Sequence, residues 1–449
     1  MKILLIYPPF CTPASPPYSI TALHSFLTHN SKHEFKVLDL NLKFHELKFP
    51  DAKKCFQDEN ECADYNEKAK QFLQTTKKCY SKNNNLVVKG ETPELFSELF
   101  KSISNDMPDL VAFSVVYSSQ AFYVQTFLKE LKQLGITTVV GGPGVSSNLV
   151  ADHKFNNEVE FLEFIEGKKI DHDKLILNTP LDFSVYPLKE YFTPKVVIPL
   201  KTTTTCFWQR CTFCAHYAKI PYFQYPLEMI KETIVKSYAK HFFMIDDMIP
   251  TKRLLDIAKM VKSLGITWSC QLRPTKDLTL KVLQELKDSG LTMVIWGVES
   301  GSQKVLDLIN KGTIVSDVTK VLKDSHSVGI RNATYIMFGF PGEMEEDFVE
   351  TVEFLEANKD NVDLVSTSIF GLQEGTVVYK NPLQFGICEI NEEKRTVLDA
   401  KISYSLTKGK GLNREDIKRL FKKYKARIEA INKYPKEMNF FREHMVCVK

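Results

Sequence analysis

The chain has 449 residues, which is enough for two or three domains. With 43% hydrophobic and 25% charged residues it can bury a substantial core, which excludes a disordered protein. The net charge of +4 is too small for a protein that coats nucleic acid, and no apolar run reaches the roughly 20 residues of a membrane span.

The N-terminal stretch is too short and lacks the small-residue cleavage site of a signal peptide. We therefore expect a cytoplasmic protein with neither nucleic-acid nor membrane partners.

The first 170 residues are predicted to form a Rossmann-like domain on a parallel α/β sheet, because apolar runs alternate with helix-like stretches. The candidate strands are Lys2–Tyr7, Phe35–Leu38, Leu110–Ser114 and Thr137–Val140. A polar segment at about residues 50–93 follows the second of these runs, and we interpret it as an inserted helical excursion. The insert contains Cys55, Cys62 and Cys79.

Residues 171–195 contain three prolines and are predicted to be a linker across the surface. A second α/β series follows over residues 196–385. Its predicted strands are Val196–Leu200, Phe242–Ile245, Thr267–Leu272, Met293–Val298, Ala333–Phe338 and Leu364–Phe370. Six β/α repeats favour an open, partial barrel over a closed eight-stranded one. We expect residues 386–449 to form a short helical tail, with Lys418–Lys425 on the solvated face of a helix.

Three of the ten cysteines lie close together after the first strand of the second series. Cys206, Cys211 and Cys214 share one loop, and three thiolates there can hold three irons of a [4Fe–4S] cluster and leave the fourth open. Zinc is the competing metal, with Cys211 and Cys214 as half of a structural site. The nearest fourth ligand, His216, follows Cys214 too closely for an unstrained chelate. In a chain of this length the remaining cysteines do not indicate a disulfide scaffold.

Residues 195–385 resemble the radical S-adenosylmethionine (SAM) superfamily. Its members carry Cys-x3-Cys-x2-Cys after the first barrel strand, with an aromatic residue before the third cysteine. Phe213 fits that pattern, but four residues separate Cys206 from Cys211, so the loop is one residue longer. An exposed loop can absorb one residue and still direct three sulfurs inward.

The loop carries further side chains for which we expect supporting roles. Phe207 and Trp208 are expected to shield the cluster, whereas His216 and Tyr217 are expected to pack along the loop. Cys270, inside a predicted strand, is most simply a small buried residue.

Two acidic residues and a cation follow the next two strands. Asp246 and Asp247 resemble the family's acidic segment near the SAM amino group, and the alternative is a pair of N-caps for the helix that begins near Thr251. Arg273 ends the third strand and would place a cation at the barrel mouth, with a structural salt bridge as its alternative.

Two later stretches also match the family. Glu299 and Ser300 belong to a segment that resembles "GxESG", which implies that Glu299 lies at the SAM ribose or the substrate. Gly339 and Pro341 belong to a turn that resembles "GFPGE", where close backbone approach suits the adenine edge.

The N-terminal domain resembles the cobalamin-binding domain of B12-dependent radical SAM enzymes. Ser114, Gly141 and Gly142 follow predicted strands, and loops at the carboxyl ends of parallel strands make a crevice in which small residues admit a flat macrocycle. A copy of the fold that binds no corrinoid is the alternative.

The family's cobalt-ligand motif, Asp-x-His-x-x-Gly, is missing from this domain. The nearest histidine after Asp39 is His45, six positions on, and we expect it at the surface rather than on cobalt. The literal pattern occurs once, at Asp324–Gly329 in the second series, where we interpret it as a coincidence.

The resemblance implies a radical SAM enzyme in which a reduced [4Fe–4S] cluster cleaves SAM to a 5′-deoxyadenosyl radical. With cobalamin, methylation or rearrangement at an unactivated carbon follows. The expected partners are a small-molecule or peptide substrate and an electron donor such as flavodoxin or ferredoxin. A methylthiotransferase with a second cluster on Cys11, Cys55 and Cys79 is one alternative. A non-enzymatic corrinoid or iron–sulfur sensor is the other.

Overall fold

Five parallel strands form the first sheet of the computed structural model, which describes residues 1–58, 64–216 and 220–447. The strands are β1 (Lys2–Tyr7), β2 (Glu34–Asp39), β3 (Leu110–Ser114), β4 (Thr137–Gly141) and β5 (His153–Phe155). They pair in the order β2-β1-β3-β4-β5. In β1, the second strand of this order, residues Ile3 to Ile6 are at most 1% exposed, because helices cover both faces of a parallel sheet.

Seven helices accompany this sheet in the described residues, and the four predicted strands are confirmed to within one residue. The helices are α1 (Tyr18–Asn30), α2 (Leu40–Lys48), α3 (Pro50–Phe56), α4 (Tyr65–Val88), α5 (Phe96–Ser104), α6 (Ala121–Gln133) and α7 (Glu158–Glu166). The helices α3 and α4 confirm that the polar insert is helical. Of the three cysteines in the insert, Cys62 lies outside the described residues.

The second sheet contains six strands in sequential order, β11-β10-β9-β8-β7-β6. They are β6 (Val197–Leu200), β7 (His241–Met244), β8 (Thr267–Leu272), β9 (Leu291–Glu299), β10 (Arg331–Phe338) and β11 (Leu364–Ile369). The two outermost strands, β6 and β11, each have one neighbour, so the sheet is an open arc, as six β/α repeats predict.

Helices connect these strands and place every strand's carboxyl end on the same side. They are α8 (Leu227–Ser237), α9 (Thr251–Val261), α10 (Leu280–Asp288), α11 (Gln303–Leu308), α12 (Val315–Ser327), α13 (Glu345–Ala357) and α14 (Val377–Lys380). Amphipathic stretches near residues 251–264, 278–289, 315–328 and 346–358 of the sequence predict helices, and α9, α10, α12 and α13 confirm them.

The C-terminal segment contains a hairpin that the sequence analysis missed. β12 (Ile387–Glu393) and β13 (Lys401–Leu406) pair antiparallel, and two helices follow, α15 (Arg414–Glu429) and α16 (Arg442–Cys447). Most hairpin side chains are exposed and charged or polar, so it lacks the apolar run that indicates a strand. Helix α15 is amphipathic as predicted, with Leu420 and Ile428 buried and Lys418 and Lys422 exposed.

The chain divides into two units, each assembled from separated stretches. Unit 1 contains Met1–Pro199, Glu228–Ala239 and Lys394–Ala400, and unit 2 contains Leu200–Leu227, Lys240–Glu393 and Lys401–Lys449. The domain limits predicted from the sequence, 1–170, 171–195, 196–385 and 386–449, stay predictions.

Hydrogen bonds show why the two short stretches join unit 1. The Leu181 N–H donates to the Thr233 hydroxyl in α8 at 3.0 Å. Asp399 accepts from the Ser147 N–H at 2.8 Å and from its hydroxyl at 2.7 Å, which ties residues 394–400 to the loop after β4.

No helix in the described parts of the chain combines the length and apolar character needed to cross a bilayer.

Candidate functional site

The cysteine loop, Thr202–Cys214, is anchored at its start by Asp246, which follows β7. The Asp246 carboxylate accepts hydrogen bonds from the N–H and hydroxyl groups of both Thr202 and Thr203, at 2.6 to 3.1 Å. The residue is 1% exposed, and burial raises the pKa of Asp246 while these hydrogen bonds oppose the rise. Its oxygens are therefore engaged by the loop that carries the cysteines.

Neither aspartate caps the next helix. The N-cap of α9 is Pro250, and no side chain bonds to the cap. Instead Asp247 lies 3.8 Å from His216, measured from Oδ1 to Nδ1. This pairing raises the pKa of His216 and lowers the pKa of Asp247. The predicted partner of His216 in the loop, Tyr217, lies outside the described residues.

The thiols of Cys206, Cys211 and Cys214 are half-buried, in no disulfide, and close enough to interact electrostatically. Burial raises the pKa of Cys211 to about 11; the nearby Lys311 charge opposes this, whereas Glu299 and the other two thiols add to it. Burial also raises the pKa of Cys214. Within residues 1–58, 64–216 and 220–447, no three His, Cys, Asp or Glu side chains are close enough together to hold a metal ion. The three thiols of the loop thus interact electrostatically, without forming a group that could already hold a metal ion.

Lys311 is a buried cation beside this loop that the sequence analysis missed. Its Nζ lies 2.7 Å from Glu299 Oε1, and the two side chains are 10% and 14% exposed. Burial opposes the charge, but Glu299 and Cys211 outweigh it and raise the pKa of Lys311. The only sign of Lys311 in the sequence is its position directly before Gly312, twelve residues after Glu299. That position does not show which residue pairs with the lysine.

The end of β9 is shaped to form this ion pair. A register shift against β10 makes Val298 an extra residue, and Glu299 adopts φ +69°, a left-handed conformation that is rare outside glycine. A Cβ at Gly297 would lie 2.9 Å from Lys311 Nζ and 3.1 Å from Glu299 Oε1, so the glycine makes room for the pair.

Arg273 lies against the indole of Trp208 rather than in a carboxylate salt bridge. Its guanidinium carbon is 3.7 Å from the ring centroid, and Nη1 donates to the Lys311 carbonyl at 2.8 Å. Burial lowers the pKa of Arg273, whereas Cys211 and Cys206 raise it. The predicted cation is therefore present beside the cysteine loop.

Ser300 is engaged within the protein. The residue is 1% exposed, its Oγ lies 2.9 Å from the Thr351 hydroxyl, and it accepts from the Ser302 N–H at 3.1 Å. These contacts give Ser300 a role in holding the turn after β9.

The turn after β10 contains a buried acid. Gly339 has φ +79°, and its N–H donates to Glu343 Oε2. Pro341, which lies between these two residues in the sequence, is buried. Burial raises the pKa of Glu343 to about 8, the Gly339 N–H opposes the rise, and Asp347 adds to it.

Three buried polar atoms without a hydrogen-bond partner lie on loops that directly follow strands of the second sheet. They are Thr205 Oγ1, Arg273 Nε and Glu343 Oε1. Unsatisfied buried polar groups are costly, so these atoms suit a polar ligand at the carboxyl ends of the strands.

In unit 1 the predicted crevice residues contact neighbouring loops. Ser114 Oγ lies 2.8 Å from Ser19 Oγ. Gly142 has φ +111°, and a Cβ there would lie 2.4 Å from the Val115 carbonyl oxygen. At Gly141 the nearest atom to an added Cβ is the Phe155 carbonyl oxygen, at 3.3 Å. The glycines therefore allow the backbone of two loops to approach closely.

The expectation that His45 lies at the surface is wrong. It is 1% exposed and contacts the rings of Phe10, Phe44, Phe49, Phe72 and Phe192. Nδ1 donates to the Asn41 carbonyl at 2.8 Å, and burial lowers the pKa of His45 to about 4. A histidine enclosed by aromatic rings is not placed to bind cobalt.

The neighbouring Asp39 caps α2. It accepts from the Leu42 N–H and from the Tyr191 hydroxyl, both at 2.8 Å. Burial raises the pKa of Asp39 to about 6, against these hydrogen bonds.

The cysteines suggested for a second cluster have separate partners. Cys11 Sγ is 3.4 Å from the Tyr7 hydroxyl, and Cys79 Sγ is 3.5 Å from Glu94 Oε2. Cys55 is buried at the end of α3. No three-cysteine group with metal-holding spacing exists among the described residues of unit 1.

The donor set fits a [4Fe–4S] cluster. Three reduced thiols share one loop, and two partly desolvated cations, Lys311 and Arg273, interact with Cys211. Such cations complement the negative charge that thiolate ligands bring to an iron–sulfur cluster. A zinc site is disfavoured because His216 pairs with Asp247.

Comparison with known proteins gives consistent matches. Residues 200–355 match the Radical SAM superfamily. An uncharacterized methyltransferase of Pyrococcus horikoshii is 22% identical over 386 residues, covering 75% of this chain and 82% of that protein. A tRNA-2-methylthio-N(6)-dimethylallyladenosine synthase of Thermosipho melanesiensis is 28% identical over 151 residues, covering 32% of this chain and 34% of that protein.

A solved structure matches over nearly the whole chain. The radical SAM methyltransferase TsrM of Kitasatospora setae, with cobalamin and a [4Fe–4S] cluster bound, superposes with a TM-score of 0.63 at 13% identity. The match covers 96% of this chain and 88% of that one. It confirms the predicted fold class, an N-terminal parallel sheet followed by a partial barrel.

Proposed function

We propose that this chain, whose residues 200–355 match the Radical SAM superfamily, is an enzyme that cleaves SAM reductively and, with cobalamin, methylates or rearranges a substrate at an unactivated carbon. The observation that carries the proposal is the group of three mutually interacting thiols on one loop after β6, beside the buried Lys311.

Cys206, Cys211 and Cys214 would hold the cluster. When bound, a reduced [4Fe–4S] cluster supplies the electron that converts SAM to methionine and a 5′-deoxyadenosyl radical. Asp246 holds the first residues of the loop, and Lys311 places a positive charge at Cys211. These residues position the sulfurs and offset their charge.

SAM would bind at the carboxyl ends of the strands in unit 2. We assign its amino group to Asp247, its ribose to Glu299 and its adenine edge to Gly339 and Pro341. Asp246 and Ser300 would stabilise these loops rather than contact SAM, because their side-chain oxygens already bond to other protein groups.

The carboxyl edge of the first sheet, with Ser114, Gly141 and Gly142, is the proposed cobalamin site. When bound, cobalamin supplies the methyl group. Support comes from the family resemblance, from the methyltransferase of P. horikoshii and from the TsrM fold. Because His45 is enclosed by aromatic rings, we propose that cobalamin binds here without a histidine ligand.

The substrate is proposed to be a small molecule or a peptide, and the electron donor to be a flavodoxin or ferredoxin. Every cysteine in the described residues is outside a disulfide, which suits the reducing cytoplasm as the compartment.

The test is anaerobic turnover of the reconstituted protein with dithionite and SAM, with 5′-deoxyadenosine measured by liquid chromatography and mass spectrometry. We expect the product from the wild type and background levels from Cys211→Ser. Cys388→Ser is the matched control, because Cys388 is an exposed thiol of β12. No product from a protein with an intact cluster would overturn the enzyme assignment and favour the sensor.

Metal and corrinoid analysis separates the remaining candidates. We expect roughly four irons per chain, since one cluster is proposed. About eight irons would overturn this and favour the methylthiotransferase. Extraction is expected to release about one corrinoid per chain. A protein that binds no added cobalamin would overturn the methyl-transfer part of the proposal.

A further inference from the structure

The cysteine loop is one residue longer than the family pattern, and it makes a left-handed turn between its first two cysteines. Gln209, between the first two cysteines, has φ +51°. A non-glycine residue rarely adopts this left-handed conformation, so surrounding contacts must hold it there.

The contacts come from Trp208, whose indole is held in a slot. The Arg273 guanidinium carbon lies 3.7 Å from the ring centroid. Nε1 donates to the Asn310 carbonyl at 3.0 Å. On Gly312, a Cβ would lie 2.3 Å from Cζ2 of the indole, so this slot exists only because residue 312 has no side chain.

The other side of Cys211 is tied to the same segment. The Thr212 N–H donates to the Ile309 carbonyl at 3.0 Å, and its hydroxyl donates to the Leu308 carbonyl at 3.2 Å. We name Leu308–Gly312 the cradle segment. It is itself turned by two left-handed residues, Asn310 at φ +52° and Gly312 at φ +68°.

We propose that Trp208 is a positioning residue that locks the longer loop onto the cradle segment and thereby holds the residues between Cys206 and Cys211 in place for the cluster. The inference rests on the proposed cluster, but the lock itself is a property of the chain. The earlier expectation gave Trp208 a shielding role, which would require neither the hydrogen bond to Asn310 nor the space at Gly312.

The first test uses the protein without its cluster. Arg210 is exposed, so trypsin can cleave the Arg210–Cys211 bond when the loop opens. We expect Trp208→Ala and Gly312→Ala to raise the rate of this cleavage, read by mass spectrometry of the new terminus at Cys211, by about tenfold or more.

Gly265→Ala is the matched control for Gly312→Ala. Both glycines lie in unit 2 at nearly the same φ, +59° and +68°, but an added Cβ at Gly265 meets nothing within 4 Å. Both substitutions place a side chain at a left-handed backbone position and cause similar strain, but only Gly312→Ala displaces the Trp208 indole. Equal cleavage rates after Arg210 in the two variants would overturn the lock.

The second test measures cluster retention. Reconstituted Trp208→Ala and Gly312→Ala are expected to lose iron to a chelator about tenfold faster than the wild type, with Gly265→Ala unchanged. Trp208→Phe is expected to be intermediate, because a phenyl ring keeps the stacking on Arg273 and loses the hydrogen bond. Far-ultraviolet circular dichroism confirms folding, and Trp208→Phe decides the question if Trp208→Ala does not fold.

The outcomes separate the two claims. If the wild type takes up no cluster, the proposed function fails while the trypsin comparison still decides the lock. If the cluster forms and both Trp208→Ala and Gly312→Ala retain iron as the wild type does, the positioning role is overturned.

Discussion

Lys311 shows how one side chain can serve the fold and the site together. It neutralises Glu299 at 2.7 Å and interacts with Cys211. A buried ion pair is a weak source of stability as a pair, but either partner is costly when left alone.

We therefore expect Lys311→Met to leave Glu299 as an uncompensated buried carboxylate and to lower the free energy of unfolding by about 3–5 kcal/mol. Urea unfolding of the cluster-free protein measures this. The control is Lys320→Met, since Lys320 is 68% exposed in its pair with Asp324 and should change stability by less than about 1 kcal/mol. Adding Glu299→Gln to Lys311→Met should restore much of the loss, and a double variant no better than the single one would contradict the account.

Individual residues also show the limits of sequence reasoning. The sequence predicted Asp246 near the SAM amino group and Arg273 at the barrel mouth, but it did not show that Asp246 binds two loop threonines. His45 was expected at the surface because a lone histidine is more often exposed to solvent than bound to a metal. Aromatic residues distant in sequence, such as Phe192, enclose it, and a local pattern holds no information about them.

At the scale of elements, apolar runs in the sequence locate buried strands well, but they do not reveal strands whose side chains are exposed and polar. Strands β1 and β3 were predicted to the residue, since each contains a continuous apolar segment. The three-residue β5 and the exposed hairpin of β12 and β13 bury too little to leave a pattern. The role of Trp208 was likewise hidden, because its slot is made by Arg273 and Gly312, which come from two other loops.

The turn between β10 and α13 carries a pH dependence. The pKa of Glu343 is about 8 in the fold and near 4.5 when exposed, so the folded state keeps a proton that the unfolded chain has lost. The stability that Glu343 contributes is full below pH 4.5 and is lost as pH rises toward 8. Asp347 acts in the same direction and Lys304 opposes it.

Glu343→Gln copies the protonated acid and removes this dependence. We expect the stability of the variant to exceed that of the wild type increasingly, by roughly 1.4 kcal/mol per pH unit between pH 5 and 8. Thermal or urea unfolding of the cluster-free protein at several pH values measures the difference. A constant difference across that range would show that the acid is ionised in the fold.

At the scale of the whole molecule, the order of the two α/β series was predictable and the membership of the short stretches was not. Helix α8 belongs to unit 1, although it lies between two strands of the second sheet. The amphipathic pattern of α8 shows that one face of the helix is buried, but it does not show which unit that face packs against. The assignment depends on contacts such as that of Thr233 with Leu181.

The two units should respond separately to iron removal. In hydrogen exchange read by mass spectrometry, chelation is expected to raise exchange across the cysteine loop and Leu308–Gly312. Strands β1 and β3 of unit 1, with their buried apolar side chains, should keep their protection. Loss of protection in those strands to the same extent would mean that the cluster supports both units equally.

The stretch Lys394–Ala400, fastened to Ser147 through Asp399, has a consequence for biosynthesis. After Ser147 has been synthesised, the ribosome must add a further 252 residues before Asp399, the partner of that serine, exists. The N-terminal sheet therefore gains this contact only late in synthesis, and because each unit is assembled from separated stretches, no single stop codon or gene truncation can yield either unit intact.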